Sequence, residues 1–412
     1  MQFSTTIRTL AFAFLTSIPA GACGGDAGGP SSTATLSGVV KNTAGAAIQG
    51  ASVRIGTTTT TTASDGRFEL ENLPVGSQTI VTSAEGFEER SYSITLRAGT
   101  NPHDVVLERI DLGVWGTRAA LLINNSEFAL AEANGKLYVL GGYPPQMGPN
   151  RTSRAVQVYD IASNSWQLGP ELPQPNNHGM AASVNGKIYM IGGQTTDDQQ
   201  GATAVNTVYE LDPAVGVWVE KATMPTARSG GVAVAHAGKI YVAGGRVPRG
   251  NDFAVYDPAA NQWEVLPDLP SQRNHITGAA INGRIHIVGG RLGNGLSPLK
   301  SDANEVFDPQ TRTWTAAAPM LRGRSGMNGV MAKGCFHVWG GEAPTGMTPD
   351  HDYYDPRNNT WTSLRDMPIP IHGVVGSAYV NDLIWVTGGG TQVGGASGSL
   401  LNQTYKPAVS CE

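Results

Sequence analysis

Short runs of alternating apolar and polar residues, separated by turn signals, fill the chain from residue 34 to about residue 107. The runs are TLSGVV, ASVRIG, TTTTTTA, GRFELENL, SQTIVTSA, SYSITL and DVVLE. Alternation means that each strand buries one face, so seven such runs predict a two-layer β-sandwich over residues 34–108. Asp65-Gly66 supplies a turn that needs a positive φ angle, and Phe68 and Leu70 are expected to point into one core.

A second pattern, a strand that ends in a glycine pair, recurs six times in the rest of the chain at intervals of about 50 residues. The strands are GKLYVLGG, GKIYMIGG, GKIYVAGG, GRIHIVGG, GCFHVWGG and DLIWVTGG, with the first glycines at Gly141, Gly192, Gly244, Gly289, Gly340 and Gly388. After each of the first five pairs come a loop, an aromatic residue or leucine and then a tryptophan, as in Tyr159/Trp166, Leu211/Trp218, Tyr256/Trp263, Phe307/Trp314 and Tyr354/Trp361. The repeat predicts six twisted sheets arranged around one axis.

The sixth repeat has Tyr405 but no tryptophan strand after it. Trp115 stands one repeat length before Trp166, so residues 111–121 are expected to supply the outermost strand of the last sheet. This closure removes the unpaired edge that an open ring would leave. The ring is therefore predicted to span residues 111–408.

These motifs resemble two known families. The glycine-pair strands with their Tyr and Trp partners resemble the kelch repeat of the galactose oxidase/kelch superfamily. Gly38-Val39-Val40, Asp65-Gly66-x-Phe68-x-Leu70 and Leu73-Pro74-x-Gly76 resemble the carboxypeptidase regulatory-like domain. The predicted fold class is thus all-β, a six-bladed kelch β-propeller with an N-terminal β-sandwich. The second resemblance implies a non-catalytic spacer for the sandwich, with a ligand-binding module as the alternative.

The N-terminus has the parts of an export signal: Arg8, an apolar stretch from Leu10 to Ile18, and small residues before Cys23. Small residues leading into a cysteine resemble a bacterial lipobox, which implies a signal peptide over 1–22 and a lipidated Cys23. Gly24 after the cysteine suggests an outer-membrane lipoprotein, facing the periplasm or the cell surface; ordinary secretion is the alternative. The Gly- and Ser-rich residues 23–33 are predicted to form a flexible tether.

Composition excludes several partners and chemistries. With 28 basic and 33 acidic residues the net charge is −5 and no Lys/Arg run occurs, so nucleic acid is not an expected partner, and contact with membrane is expected only through the anchor. We find no nucleophile elbow, P-loop or CxxC pair, and we expect no cofactor, no metal and a monomer. Cys335 and Cys411 fall in neighbouring blades, where a disulfide is one possibility in an oxidising compartment.

Candidate ligand groups are found by counting back from each glycine pair to the start of the innermost strand. Sixteen residues back stand Asn125, Asn176, Arg228, Arg273, Arg324 and His372, and fourteen back stand Glu127, His178, Gly230, His275, Gly326 and Val374. A strand of period two would bring the arginines and histidines to one mouth of the central channel, where guanidinium groups suit an acidic sugar or another anion. The structural alternative is that these side chains tie each strand to the preceding turn.

Loops after the glycine pairs offer a second candidate surface, because binding residues often lie on irregular segments of a rigid frame. Their charged and aromatic residues include Tyr143, Arg151, Arg154, Asp197, Asp198, Arg246, Arg249, Arg291, Glu342 and His351, for which solvated loop charge is the competing interpretation. His286 and His337 replace a tyrosine of the repeat inside a strand and are interpreted as packing residues. No copper site like that of galactose oxidase is expected.

Two functions remain open from the sequence. The first is a non-catalytic binding or scaffold module of the cell envelope for a glycan or a protein. The second is a carbohydrate-active enzyme acting on an acidic sugar at the channel mouth, suggested by similarity to sialic acid mutarotases. A binding assay with a panel of acidic sugars would discriminate the two functions, because absence of saturable, salt-sensitive binding would remove the enzyme.

Overall fold

The computed structural model describes residues 33–43, 45–109, 113–144, 151–198, 202–246, 248–395 and 397–412. The predicted export signal, Cys23 and residues 24–32 of the predicted tether lie outside the described residues. The chain divides into two compact units, one running to Ala84 and including Glu89–Leu107, the other consisting of Glu85–Glu88 and Glu108–Glu412. Within the described ranges, no helix is both long and apolar enough to cross a membrane.

The first unit is the predicted β-sandwich. Its strands are β1 (Thr33–Asn42), β2 (Ser52–Ile55), β3 (Thr58–Thr61), β4 (Arg67–Pro74), β5 (Gly76–Ser83), β6 (Arg90–Leu96), β7 (Gly99–Pro102) and β8 (Val105–Leu107). One sheet has the order β4-β1-β7, with β8 also pairing with β1, and the other has the order β3-β2-β5-β6. Phe68 and Leu70 are buried as expected, together with Leu36, Val53 and Ile80. The short β7 is an addition to the seven predicted strands.

The second unit is a ring of six sheets, so the predicted fold class is confirmed. A short strand, β9 (Gly113–Thr117), precedes the first blade. Blade 1 contains β10 (Phe128–Ala133), β11 (Lys136–Leu140), β12 (Val156–Asp160) and β13 (Ser165–Leu168); blade 2 contains β14 (Met180–Val184), β15 (Lys187–Ile191), β16 (Val208–Asp212) and β17 (Val217–Glu220); blade 3 contains β18 (Val232–His236), β19 (Lys239–Ala243), β20 (Phe253–Asp257) and β21 (Gln262–Val265).

The remaining blades follow the same pattern, with two short insertions. Blade 4 contains β22 (Thr277–Ile281), β23 (Arg284–Val288), β24 (Asn304–Asp308) and β25 (Thr313–Ala317); blade 5 contains β26 (Asn328–Ala332), β27 (Cys335–Trp339), the hairpin β28 (Glu342–Ala343) and β29 (Gly346–Met347), β30 (His351–Asp355) and β31 (Thr360–Ser363); blade 6 contains β33 (Ala378–Val380), β34 (Leu383–Thr387) and β35 (Asn402–Pro407), after β32 (Val374–Val375), which pairs with β10.

Aromatic residues of the repeat hold the blades together. Tyr256 and Trp263 are cross-strand partners whose ring centroids lie 5.0 Å apart, and other blades repeat the pair. The indole N–H of Trp263 donates to the carbonyl of Ala222 in the preceding blade at 2.8 Å. The same bond recurs from Trp166, Trp218, Trp314 and Trp361 to carbonyls at 2.8–2.9 Å. Each tryptophan therefore packs within its own sheet and fixes the distance to the neighbouring one.

The two ends of the propeller sequence pair with each other, as predicted. β9 forms the outer antiparallel partner of β35, with Trp115 opposite Tyr405. Their ring centroids are 5.0 Å apart, so blade 6 has the same aromatic pair as blades 1, 3, 4 and 5. Residues 111 and 112 of the predicted closing segment lie outside the described residues.

A disulfide joins Cys335, at the start of β27 in blade 5, to Cys411 near the C-terminus. The backbone N–H of Cys411 also donates to the carbonyl of Lys333 at 2.8 Å. The segment after β35 of blade 6 is thereby attached to blade 5.

Candidate functional site

One residue at the start of each innermost strand adopts a left-handed backbone conformation. These residues are Glu127, His178, Gly230, His275, Gly326 and Gly373, with φ between +49° and +68°. Backbone hydrogen bonds link them around the axis: each N–H from His178 to Gly373 donates to the carbonyl of the preceding member at 2.7–3.3 Å. Glycine adopts this conformation without strain, whereas Glu127, His178 and His275 carry side chains there at a cost.

A second set of residues lies directly after each glycine pair: Tyr143, Gln194, Arg246, Arg291, Glu342 and Gly390. The backbone N–H of Arg291 donates to the carbonyl of Asn274 at 2.9 Å, and its neighbours make the equivalent bond. Innermost strands start at this end of the ring and second strands finish there, so both sets lie on one side of the propeller, which we call the loop face.

The two sets meet in a buried group of ionisable side chains around the axis, here called the axial cluster. Its members are Glu127, His178, Arg246, His275, Arg291, Glu342 and His372, and none is more than 7% exposed. Loop residues from blade 6 cover it: the backbone N–H of Gly394 donates to Glu342 Oε2 at 2.8 Å, and the carbonyl of Gly395 accepts from the hydroxyl of Ser126 at 3.1 Å.

Two histidines of the cluster have a defined proton arrangement. His178 Nδ1 lies 2.6 Å from Asn177 Oδ1, and His275 Nδ1 lies 2.6 Å from Asn274 Oδ1. With the amides assigned in this orientation, each oxygen only accepts, so each Nδ1 carries the hydrogen. The Nε2 atoms then accept from guanidinium groups: Arg246 Nη2 at 3.0 Å from His178 and Arg291 Nη2 at 2.9 Å from His275.

Burial shifts the pKa values of the cluster. Desolvation raises the pKa of Glu127. Desolvation, reinforced by the neighbouring arginines, lowers the pKa of His178 and of His275 well below the ordinary value. Burial alone would raise the pKa of Glu342, but the charge of Arg291 and the hydrogen bonds from Arg291 and the Gly394 N–H help to outweigh it, and that pKa is lowered. Strong perturbation in one place is typical of functional sites and also of structural ion-pair networks.

The three arginines predicted at the channel mouth do not reach the axis, which corrects the expectation for Arg228, Arg273 and Arg324. Their side chains run inside the blades: Arg228 donates to the carbonyl of Asp252 at 2.7 Å, Arg273 to Glu305 and Arg324 to Asp352, each at 2.6 Å. The period-two argument fails because the left-handed residue two positions later interrupts the alternation of an extended strand. The observed partners lie in or beside the second and third strands of the same blade, so these arginines are structural, but they do not tie the strand to the preceding turn as the alternative had it.

His178, His275 and His372 do come together. The rings of His178 and His275 have centroids 5.2 Å apart, and His372 Nδ1 lies 3.5 Å from Glu127 Oε1. In blade 6, however, Gly373 and not Val374 occupies the left-handed position, because this blade has one more residue before its glycine pair. The guanidinium groups at the axis belong to Arg246 and Arg291, which the sequence analysis placed in the candidate loop surface, with solvated loop charge as the competing interpretation. Their position directly after a glycine pair was the available signal.

An open groove of about 510 Å³ lies at the loop-face end of blade 1. Its apolar lining comes from Ile123, Pro144 and Pro175, and Arg154 and Glu171 lie at its edge. These two charged side chains are 48% and 68% exposed and 3.8 Å apart. A further cavity, of about 410 Å³, is formed by the innermost strands, including residues such as Ala182 and Gly329.

Six sheets closed into a ring by the first and last strands define a six-bladed β-propeller. The chain matches the KLHDC2/KLHL20/DRC7 Kelch-repeats domain over residues 127–329 and the carboxypeptidase regulatory-like domain over residues 35–108. It is 31% identical over 324 residues to the Kelch-like protein terF of Aspergillus terreus, covering 72% of this chain and 69% of terF. The chain belongs to the kelch-repeat family.

More distant relatives share the repeat. Beta-scruin of Limulus polyphemus is 23% identical over 284 residues, which cover 66% of this chain and 26% of beta-scruin, so the chain spans about a quarter of that protein. Among solved structures, that of YjhT superposes with a TM-score of 0.58 at 16% identity, covering 69% of this chain and 95% of YjhT. This likeness concerns the fold.

Proposed function

We propose that the chain is an exported cell-envelope protein whose kelch propeller is a non-catalytic binding module, with the loop-face groove holding a glycan or protein ligand. The groove itself carries the proposal. It has the volume of a ligand site, an apolar lining and a few polar groups at its edge, which is the usual composition of such sites. Membership in a family of binding propellers supports the same function.

Burial of the axial cluster favours binding over catalysis. A general acid or base has to come within hydrogen-bonding distance of its substrate, about 2.6–3.2 Å. Glu127 and the three histidines lie beneath the blade 6 loop and are 1–7% exposed. In this arrangement the cluster stabilises the centre of the ring, and the exposed groups available to a ligand lie in the groove.

The test compares wild-type protein with two variants. The Arg154→Ala/Glu171→Ala double variant removes both exposed charges at the groove. Arg284→Ala removes a similarly exposed arginine at the hairpin end of blade 4, on the opposite side of the ring. Glycan arrays and pull-downs from solubilised envelopes should give a ligand whose binding falls at least about tenfold in the double variant and is unchanged in Arg284→Ala. Equal binding by all three proteins would contradict the groove as the site.

The second candidate is an enzyme acting on an acidic sugar, of the mutarotase type. The perturbed acid and base groups of the axial cluster favour it, because ring opening requires a positioned proton donor and acceptor. NMR of freshly dissolved uronic and sialic acids would reveal faster anomer exchange with wild-type protein and none above background with Glu127→Gln. Absence of acceleration across the panel would remove this candidate.

We also propose that Cys23 anchors the protein in the outer membrane. The small residues before Cys23 and the Gly- and Ser-rich sequence after it support a lipid anchor. Metabolic labelling with a clickable fatty acid should mark the wild type and not Cys23→Ser, with the wild type in the outer-membrane fraction. Unlabelled wild-type protein in the medium would indicate ordinary secretion instead.

A further inference from the structure

His372 faces two carboxylates with a nitrogen that makes no hydrogen bond to any of the described residues. Its Nε2 lies 2.8 Å from the carbonyl oxygen of Gln392, and since a carbonyl only accepts, Nε2 carries the hydrogen. The Nδ1 atom, with no hydrogen bond, lies 3.5 Å from Glu127 Oε1 and 3.6 Å from Glu342 Oε2. In neutral imidazole this nitrogen presents a lone pair, so three electron-rich atoms converge on one buried point.

Two of the three groups are already held in place through their other atom. Glu342 Oε1 accepts from Arg291 Nη1 at 2.9 Å, and the Gln392 carbonyl accepts from His372 Nε2 at 2.8 Å, so both groups are oriented from behind. Glu127 Oε2 lies 3.1 Å from His178 Nε2, which carries no hydrogen in the assigned arrangement and makes a close contact only. Metal-binding histidines and carboxylates are characteristically supported in this manner.

We propose that His372 Nδ1, Glu127 Oε1 and Glu342 Oε2 bind a divalent first-row transition-metal ion. Bonds of about 2.1 Å at tetrahedral angles place ligand atoms about 3.4 Å apart, close to the two distances found here. All three ligand atoms lie within 4.8 Å of one another. Two carboxylates offset the charge of the ion, and one imidazole with two carboxylates suits zinc or manganese.

A second set, Glu127 with His178 and His275, also has its ligand atoms within 4.8 Å of one another. In that set both imidazole Nε2 atoms already accept from guanidinium groups, so an ion would have to displace Arg246 and Arg291 and remain beside their charges. The site at His372 requires no such displacement. The observations therefore favour it.

Gly373 and Gly390 lack a Cβ atom and so make room for the proposed ligands Glu127 and His372. A Cβ atom on Gly373 would lie 2.6 Å from Glu127 Oε1, and one on Gly390 would lie 2.4 Å from His372 Nε2. Side chains at either position would push a ligand out of place. The inference goes beyond the proposed function, because the groove residues Arg154 and Glu171 take no part in it.

The experiment uses the full exported chain, stripped with a chelator and equilibrated with Zn²⁺, Mn²⁺ or Co²⁺ in separate dialyses. Bound metal is measured by mass spectrometry, and Co²⁺ ligation by visible absorption. We expect one ion per chain and a rise in Tm on binding. His372→Gln and Glu342→Gln should each weaken binding at least about 100-fold, since supporting contacts alone are worth roughly 10–100-fold.

His275→Gln is the matched control, because His275 is an equally buried histidine of the axial cluster that belongs only to the second set. It should keep the affinity within about threefold. Loss of binding in His275→Gln with retention in His372→Gln would overturn the assignment. Absence of any bound ion up to about 1 mM would overturn the proposal. Circular dichroism checks that each variant folds. If His372→Gln does not fold, the nearly isosteric Glu342→Gln still tests the site.

Discussion

Removing the disulfide between Cys335 and Cys411 should cost a large part of the propeller's stability. The two cysteines are 76 residues apart in sequence, so the bond closes a long loop in the unfolded chain. The loop-entropy relation gives about 4.5 kcal/mol for a loop of that size, and measured values generally fall to about 2–4 kcal/mol. We expect an effect of this size because the bond joins two blades: the chain end follows β35 of blade 6, and Cys335 lies in blade 5.

The assay is equilibrium unfolding in urea of wild-type protein with and without reductant, beside the Cys335→Ala/Cys411→Ala variant. Reduced wild type should lose about 2–4 kcal/mol of unfolding free energy, the variant should resemble it, and reductant should leave the variant unchanged. Equal midpoints for oxidised and reduced wild type would refute the reasoning, since they would mean that neither the loop nor the attachment of the C-terminus contributes. If unfolding is irreversible, Tm at a fixed scan rate replaces the free energy.

Three further predictions concern stability. Gly376→Ala should destabilise the propeller by at least about 2 kcal/mol more than Gly216→Ala in urea unfolding, because its Cβ would lie 2.0 Å from a backbone oxygen while Gly216 faces open space. Arg324→Met should cost about 3–5 kcal/mol in the same assay by leaving the Asp352 carboxylate buried and unpaired, without changing ligand binding. Burial lowers the pKa of His337 to about 3 from its ordinary 6.5, so the unfolded chain binds more protons below pH 6.5 and stability falls as pH falls towards 3. His337→Gln should reduce that slope by up to about 1.4 kcal/mol per pH unit, and an unchanged slope would contradict the neutral, buried state.

Much of the fold could be predicted from the sequence because each blade corresponds to one sequence repeat. The glycine pairs and the Tyr and Trp positions recur in a fixed order, and each has one physical role in every blade. The same logic located the closing strand: a missing tryptophan strand at the end and an extra Trp115 at the beginning are complementary.

The site was only partly predictable. Counting residues placed His178 and His275 correctly, but it could not say which way a side chain points. Arg273 lies two residues before a left-handed position, where the alternation of an extended strand no longer applies. Glycine at two of the six counted positions, Gly230 and Gly326, was the hint that the strand does not extend regularly there. Arg246 contacts His178 of blade 2 and Arg291 contacts Glu342 of blade 5, and sequence spacing does not encode contacts between blades.

Closure of the ring by the chain ends is the claim on which the axial cluster depends, because Glu127 of blade 1 meets His372 of blade 6 across the junction. Val114 and Lys406 are cross-strand partners with exposed side chains, at a separation that a disulfide spans.

The decisive measurement is disulfide formation in Val114→Cys/Lys406→Cys, with both native disulfide cysteines replaced by alanine. Peptide mass spectrometry under non-reducing conditions should find the new bond in nearly all molecules and none in the control Val114→Cys/Val265→Cys, whose second cysteine lies on the outer strand of blade 3. Absence of the bond in the paired variant, or equal bonding in both, would contradict a propeller closed by its first and last strands.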